Sequence, residues 1–222
     1  MRASPGLGLV LCVATRQATE AWWVGIVLVF IKVQIFMALR ATIYKAELHI
    51  ADNDRAYYAS HAVTVARHPS ETAERLMVRL LAYALYVQGE GPDHLAFTRG
   101  LSEADEPELW RQDLSGTLEQ WIDLGLPDER RLLKASGRAR EVVVIAYGRN
   151  VDIWWQGVRH KIGRAKNIQV LSLPAEATQA LAEMLERGMT LNINVHDASV
   201  WVSNQHSNVE VTLQRLLDQG AS

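Results

Sequence analysis

Cysteine is all but missing from this chain of 222 residues. Cys12 stands alone, which excludes an internal disulfide framework and a cysteine-rich zinc site. An excess of either charge is missing too: 23 Lys and Arg against 25 Asp and Glu leave a net charge of −2. No whole-molecule positive field advertises nucleic acid, so any phosphate contact must come from a local basic patch. Long apolar runs are lacking as well. Ala21 to Ile31 is uninterrupted, but Lys32 and Gln34 follow, and the run falls short of the roughly 20 residues that cross a bilayer. The seven histidines form neither a His-x-x-x-His nor a His-Glu-x-x-His pattern, which argues against a helical zinc hydrolase. There is no glycine-rich phosphate loop, and Ser70, Ser115 and Ser136 lack a nucleophile-elbow context.

What is present is ordinary globular composition, 49% hydrophobic and 22% charged, in a chain long enough for one α/β domain with a small appendage. Residues 1–36 read as an apolar extension outside the fold. Gly6–Ala14 behind Arg2 resembles a signal h-region, yet no Ala-x-Ala site follows. A signal anchor, a processed leader, or translated sequence upstream of a start at Met37 would each account for it. The third is preferred, because MALRATIYKAELHIAD opens a strand abruptly. The expectation is a single cytoplasmic domain over 37–222, with membrane contact only if the extension is retained.

Ala41 to Ile50 alternates at period two and predicts a half-buried strand. Tyr57 to Ala66 returns as a second strand after the Asp52-Asn53-Asp54 turn. Leu76, Leu80, Tyr83, Ala84 and Val87 recur at helical spacing behind Ser70, a candidate N-cap, and the stretch from Gly89 to Pro92 ends that helix. Short strands at 94–98, 108–114 and 117–124 follow, then a helix opened by Pro127-Asp128-Glu129 and running to about Ala139. Glu141 to Tyr147 is a strand buried on both faces, because its run of Val, Ile and Ala does not alternate. Helices over 151–164 and 174–187 flank a strand at 168–172, and three short strands close the chain. This order predicts a mixed central sheet with helices on its faces.

The chemistry concentrates in the hairpin. A two-residue loop at Ser115-Gly116 would oppose Trp110 to Trp121 and Glu108 to Asp123. Carboxylates held about 5 Å apart repel unless a cation sits between them or one is protonated. Mg²⁺ or Mn²⁺ suits such hard oxygen ligands, although a longer loop would slip the register and leave both acids in water. Arg131, Lys134 and Arg138 then form a basic stripe on the next helix. They are candidates for phosphate binding beside a metal, or a solvated face balancing Asp128 and Glu129.

From Met37 to about Thr212 the chain resembles the YaeQ family. The likeness runs through MALRATIYKAELHIAD, ARHPSETAERLMVRLLAYAL, GLSEADEPELW, WIDLGLPDERRLLKASGRA and Tyr147-Gly148. The resemblance implies a restriction-endonuclease-like PD-(D/E)XK core with extra N- and C-terminal β elements. Pro107-Glu108 and Asp123 then match the metal-binding acids, and Glu71 or Glu74 the acid of the first core helix, with Glu71 preferred for its place in the first turn. The lysine expected two residues after Asp123 is replaced by Gly125, so Lys134 becomes the candidate to stabilise the transition state. The leading expectation is a Mg²⁺- or Mn²⁺-dependent phosphodiesterase or nuclease-like protein acting on nucleic acid, with no covalent organic cofactor. Its rival is a catalytically degenerate fold that binds nucleic acid or protein. His68 could line the same cleft, and Trp154-Trp155 serve either packing or base stacking.

Overall fold

The computed structural model describes residues 41–89, 95–99 and 105–218. The expectations for residues 1–36, Met37 and the helix stop beyond Gly89 fall on residues outside that set.

Two sheets form: one built from the N-terminal hairpin and the C-terminal strands, the expected extra β elements, and the expected central mixed one. In the first, β1 (Thr42–Asp52) pairs antiparallel with β2 (Tyr57–Arg67) and parallel with β8 (Gly188–His196). β9 (Ser199–Ser203) and β10 (Asn208–Thr212) extend it in the order β10-β9-β8-β1-β2. The second sheet contains β3 (Ala96–Phe97), β4 (Leu109–Gln112), β5 (Leu118–Leu124), β6 (Ala139–Tyr147), β7 (Ile168–Leu173) and β11 (Gln214–Asp218), ordered β11-β7-β6-β5-β4-β3. The cause of the split is patterning. β8 buries every second residue and so needs one wet face, whereas Val142 to Ala146 of β6 are all buried and need cover on both sides.

Four layers follow. The inner face of the first sheet (Leu48, Ile50, Leu191, Ile193) packs on α1 (Ala73–Tyr86) and α4 (Ala175–Glu183). Beneath them lies the near face of the second sheet, with Leu109, Ile122 and Ile145. Its far face, with Trp121, Val142 and Val144, rests on α2 (Glu129–Ser136) and α3 (Val151–Ile162).

α1 is the central layer, and Leu76 to Leu85 are buried without a break, Arg79 among them. Each Leu there contributes about 1.5–3 kcal/mol by leaving water, enough together to offset one buried, paired guanidinium. The cap is Thr72, not Ser70: its Oγ1 accepts from the Arg75 amide at 3.1 Å. Ser70 instead bonds His68 Nδ1 at 2.6 Å. The helix therefore starts after Glu71, which leaves that acid in the entering loop instead of the first turn. α2 likewise stops at Ser136 and α4 at Glu183, earlier than the periodicity implied. Among the described residues, no helix is long and apolar enough to cross a membrane.

Candidate functional site

The hairpin between β4 and β5 closes on three loop residues, not two. Asp113 N donates to Thr117 O at 3.0 Å, and Gly116 N to Asp113 O at 3.0 Å, with Gly116 at φ +82°. Glycine accepts that left-handed conformation without a Cβ clash, and the result is a three-residue turn with a bulge. Gln112 then pairs with Leu118, and a second irregularity at Glu119 restores Arg111 to Gln120, Trp110 to Trp121 and Leu109 to Ile122. Two departures from the expected register thus cancel along most of the hairpin.

They do not cancel at its open end. Glu108 N donates to Ile122 O at 2.9 Å, one position away from the register that would set it against Asp123. Both acids are buried, and their partners differ. Glu108 Oε1 accepts a short hydrogen bond from Arg75 of α1, and Arg79 Nε stands 3.3 Å from its Oε2. Asp123 is gripped by Arg131 of α2, Nε to Oδ2 at 2.8 Å and Nη2 to Oδ1 at 2.7 Å. Glu71 completes the set, its two oxygens accepting from Arg79 Nη1 at 3.0 and 3.1 Å and its Oε2 from the His68 amide at 3.2 Å. Each of the three carboxylates is therefore engaged by a guanidinium.

The electrostatics follow that pairing. The Asp123 hydrogen bond holds the Arg131 pKa above its ordinary value. Burial works to lower that of Arg75, but Glu108 and the Tyr147 hydroxyl outweigh it and leave a net rise. Burial pushes the Tyr147 phenol up, against the pull of Arg75.

Arg75 passes beside Gly125 at the end of β5. The Gly125 φ of +88° turns the chain out of β5, and a Cβ there would lie 3.6 Å from Arg75 Nη1. A cation from α1 thus stands beside the position where the resemblance expected a lysine. Lys134 is elsewhere: its Nζ bonds Asp105 Oδ1 at 2.6 Å, with both side chains more than half exposed. That bond lowers the Asp105 pKa.

Arg138 lies past the end of α2, in the link to β6, so the expected helical stripe keeps only Arg131 and Lys134; Arg131 and Arg138 nevertheless hold the same segment. Arg131 Nη2 donates to Glu106 O at 2.6 Å and Arg138 Nη1 to Asp105 O at 3.2 Å, and both guanidiniums lie over Trp121. A cavity of about 360 Å³ lies against this stripe, lined by Asp105, Asp128, Arg130, Arg131 and Lys134 among others. A second, of about 320 Å³, is lined by the buried Glu71–Arg79 pair together with His68, Phe97 and Thr98.

The residues present do not make a ready divalent-metal site. Among the described residues, one trio of His, Cys, Asp or Glu brings its ligand atoms within 4.8 Å: Asp54, His196 and Asp197, exposed at two hairpin turns. Glu71, Glu108 and Asp123 are not such a trio. One buried carboxylate oxygen, Glu108 Oε2, has no hydrogen-bond partner. That oxygen faces Arg79 Nε at 3.3 Å, so a divalent cation there would meet a fixed guanidinium charge.

Sequence reasoning singled out the acids and missed Arg75, Arg79 and the role of Tyr147. The signal was present: Arg79 interrupts the otherwise apolar run from Leu76 to Leu85, and Arg75 stands one turn before it, directly ahead of that run. Trp154 proves to be a packing residue, its Nε1 donating to Pro127 O at 2.7 Å.

The layered fold and its arginine-locked acids define a mixed α/β domain with a buried ion-pair lattice at one end of the second sheet. The profile of the YaeQ protein family matches residues 37–213, and the chain belongs to that family. YaeQ of Salmonella typhi is 44% identical over 178 residues, covering 80% of this chain and 96% of that one, and YaeQ of Escherichia coli (strain K12) is 43% identical over the same length and shares. The crystal structure of YaeQ from Xanthomonas axonopodis pv. citri superimposes with a TM-score of 0.75 at 47% identity, covering 79% of this chain and 98% of that one. That of YaeQ from Pseudomonas syringae gives 0.75 at 38% identity, with 81% and 98% covered.

Proposed function

We propose that this domain is a nuclease-like fold that binds its partner without cutting it, the acids Glu71, Glu108 and Asp123 having become parts of an ion-pair lattice. One observation carries the reading: every carboxylate that the PD-(D/E)XK resemblance assigns to a metal or to catalysis is engaged by Arg75, Arg79 or Arg131. Removing a guanidinium would leave a buried charge unpaired, so a metal would have to compete with contacts the fold depends on. The test is calorimetric titration of Mn²⁺ into the protein and into Glu108→Ala and Asp123→Ala. No saturable binding is expected in any of the three. Saturable binding by the parent protein that both variants abolish overturns the reading.

A metal-dependent phosphodiesterase is the rival, and Arg75 is what favours it. Its guanidinium beside Gly125 can supply the positive charge that the missing lysine would have brought. Under that reading Glu108 and Asp123 would hold Mg²⁺ or Mn²⁺, which activates water and neutralises charge on phosphorus. Arg75, rather than the distant Lys134, would be the cation next to them.

A further inference from the structure

We infer that the outward face of α3 and its flanks is a docking surface for a nucleic-acid strand, an inference that names the partner of the binding domain proposed above. The stretch from Arg149 to Lys166 carries five Lys and Arg and a single acid, Asp152, in a chain whose net charge is −2. Arg149, Arg159, His160, Lys161, Arg164 and Lys166 are all exposed. Lys161 bonds Glu129 Oε1 at 2.9 Å; among the described residues the other four Lys and Arg have no acidic partner.

The helix dipole does not account for this. It favours cations in the last turn, by about 0.3–1 kcal/mol each, and so covers Arg159 and Lys161. Arg149, however, precedes the N-cap Asn150, where a cation is unfavourable, and Arg164 and Lys166 lie beyond the end of the helix. The helix dipole thus accounts for two of the five, and all five are exposed on α3 or on the residues that flank it.

That surface has an aromatic edge. Trp155 is only partly buried against the second core cluster and lies one turn before Arg159 on the same side of α3. A partly exposed indole beside a guanidinium offers a stacking plane next to a phosphate contact, the combination by which single strands are held. An anionic membrane is the poorer partner. Ile153, 73% exposed, is the one strongly exposed large apolar side chain on α3, and an interfacial helix needs a continuous apolar stripe.

The experiment is fluorescence anisotropy of a labelled dT oligonucleotide of about 20 residues, titrated with the full chain at several salt concentrations. Binding is expected to weaken with salt, with a logarithmic slope of about −2 to −4 for three to five phosphate contacts. The triple variant Arg159→Glu, Arg164→Glu, Lys166→Glu should lose at least about tenfold in affinity while it keeps the folded circular dichroism spectrum, with a melting temperature lowered only by the reversed charge at the end of α3. Equal affinity in the triple variant overturns the inference, as does absence of binding to both the strand and its duplex at about 50 mM salt. Binding to phosphatidylserine vesicles without oligonucleotide binding overturns it in favour of a membrane. Cleavage of the bound strand when Mn²⁺ is added would sink the binding-without-cutting reading and leave the α3 surface standing.

Discussion

Arg131 holds Asp123 with both prongs of its guanidinium, at 2.8 and 2.7 Å, across the gap between α2 and β5. Asp128 makes this possible. It caps α2 by accepting from the Arg131 amide at 2.7 Å, which sets the first turn of the helix over the end of the strand. An acid that the sequence offers as a metal ligand is thereby made an anchor for the helix that follows it.

Arg131→Ala should destabilise the protein by about 3 kcal/mol, because it leaves Asp123 buried and unpaired. Arg131→Lys should recover only part of that loss, since an ammonium cannot reproduce the fork. In a double-mutant cycle with Asp123→Asn, the second change should cost less than it does alone. Urea unfolding followed by circular dichroism reads all of these, and additive costs would show that the pair is not coupled.

Gly116→Ala should cost about 1 kcal/mol, because φ +82° disfavours any Cβ although nothing lies within 4 Å of one there. The same turn is pH-sensitive. Asp113 Oδ1 accepts from the Ser115 hydroxyl at 2.6 Å, the Thr117 amide at 2.8 Å and the Ser115 amide at 2.9 Å, and these bonds hold its carboxyl below the ordinary value. Its contribution is present above the ordinary aspartate range and is lost as pH falls through the depressed value. Asp113→Ala should therefore remove part of the acid sensitivity of the unfolding midpoint, and an unchanged acid limb would refute it.

Tyr147 acts at the other end of the scale. Burial raises its pKa, so the unfolded chain gives up the phenolic proton before the folded one does. The stability tied to it is complete below pH about 10 and is lost as pH rises from there through the raised folded value. Melting temperatures between pH about 9 and 11 should fall more steeply for the parent protein than for Tyr147→Phe. Parallel slopes would assign the alkaline loss to other groups.

Local pattern was legible where the period was unambiguous. The alternation of β1, the unbroken apolar run of β6 and the apolar stripe of α1 each predicted the element that forms, and the Trp110–Trp121 pairing followed from the hairpin. Boundaries were less legible, because caps depend on which hydroxyl wins an amide. Thr72 and Ser70 offer the same chemistry, and His68 draws Ser70 away. Family membership could be read from long matching stretches, whereas the division into two sheets required knowing which strands meet.

The residue order by itself determined the half-buried and fully buried strands, the buried character of α1 and the residue types at the site, since these depend on period and chemistry within a few positions. Only the tertiary structure decided the charge state of that site. Glu71, Glu108 and Asp123 read as a set waiting for a cation. The cations come from Arg75 and Arg79, on a helix more than twenty residues before the hairpin, and from Arg131 on the helix after it. Coulombic partners are chosen by distance in space, and a buried carboxylate takes whichever cation the packing of the layers brings to it.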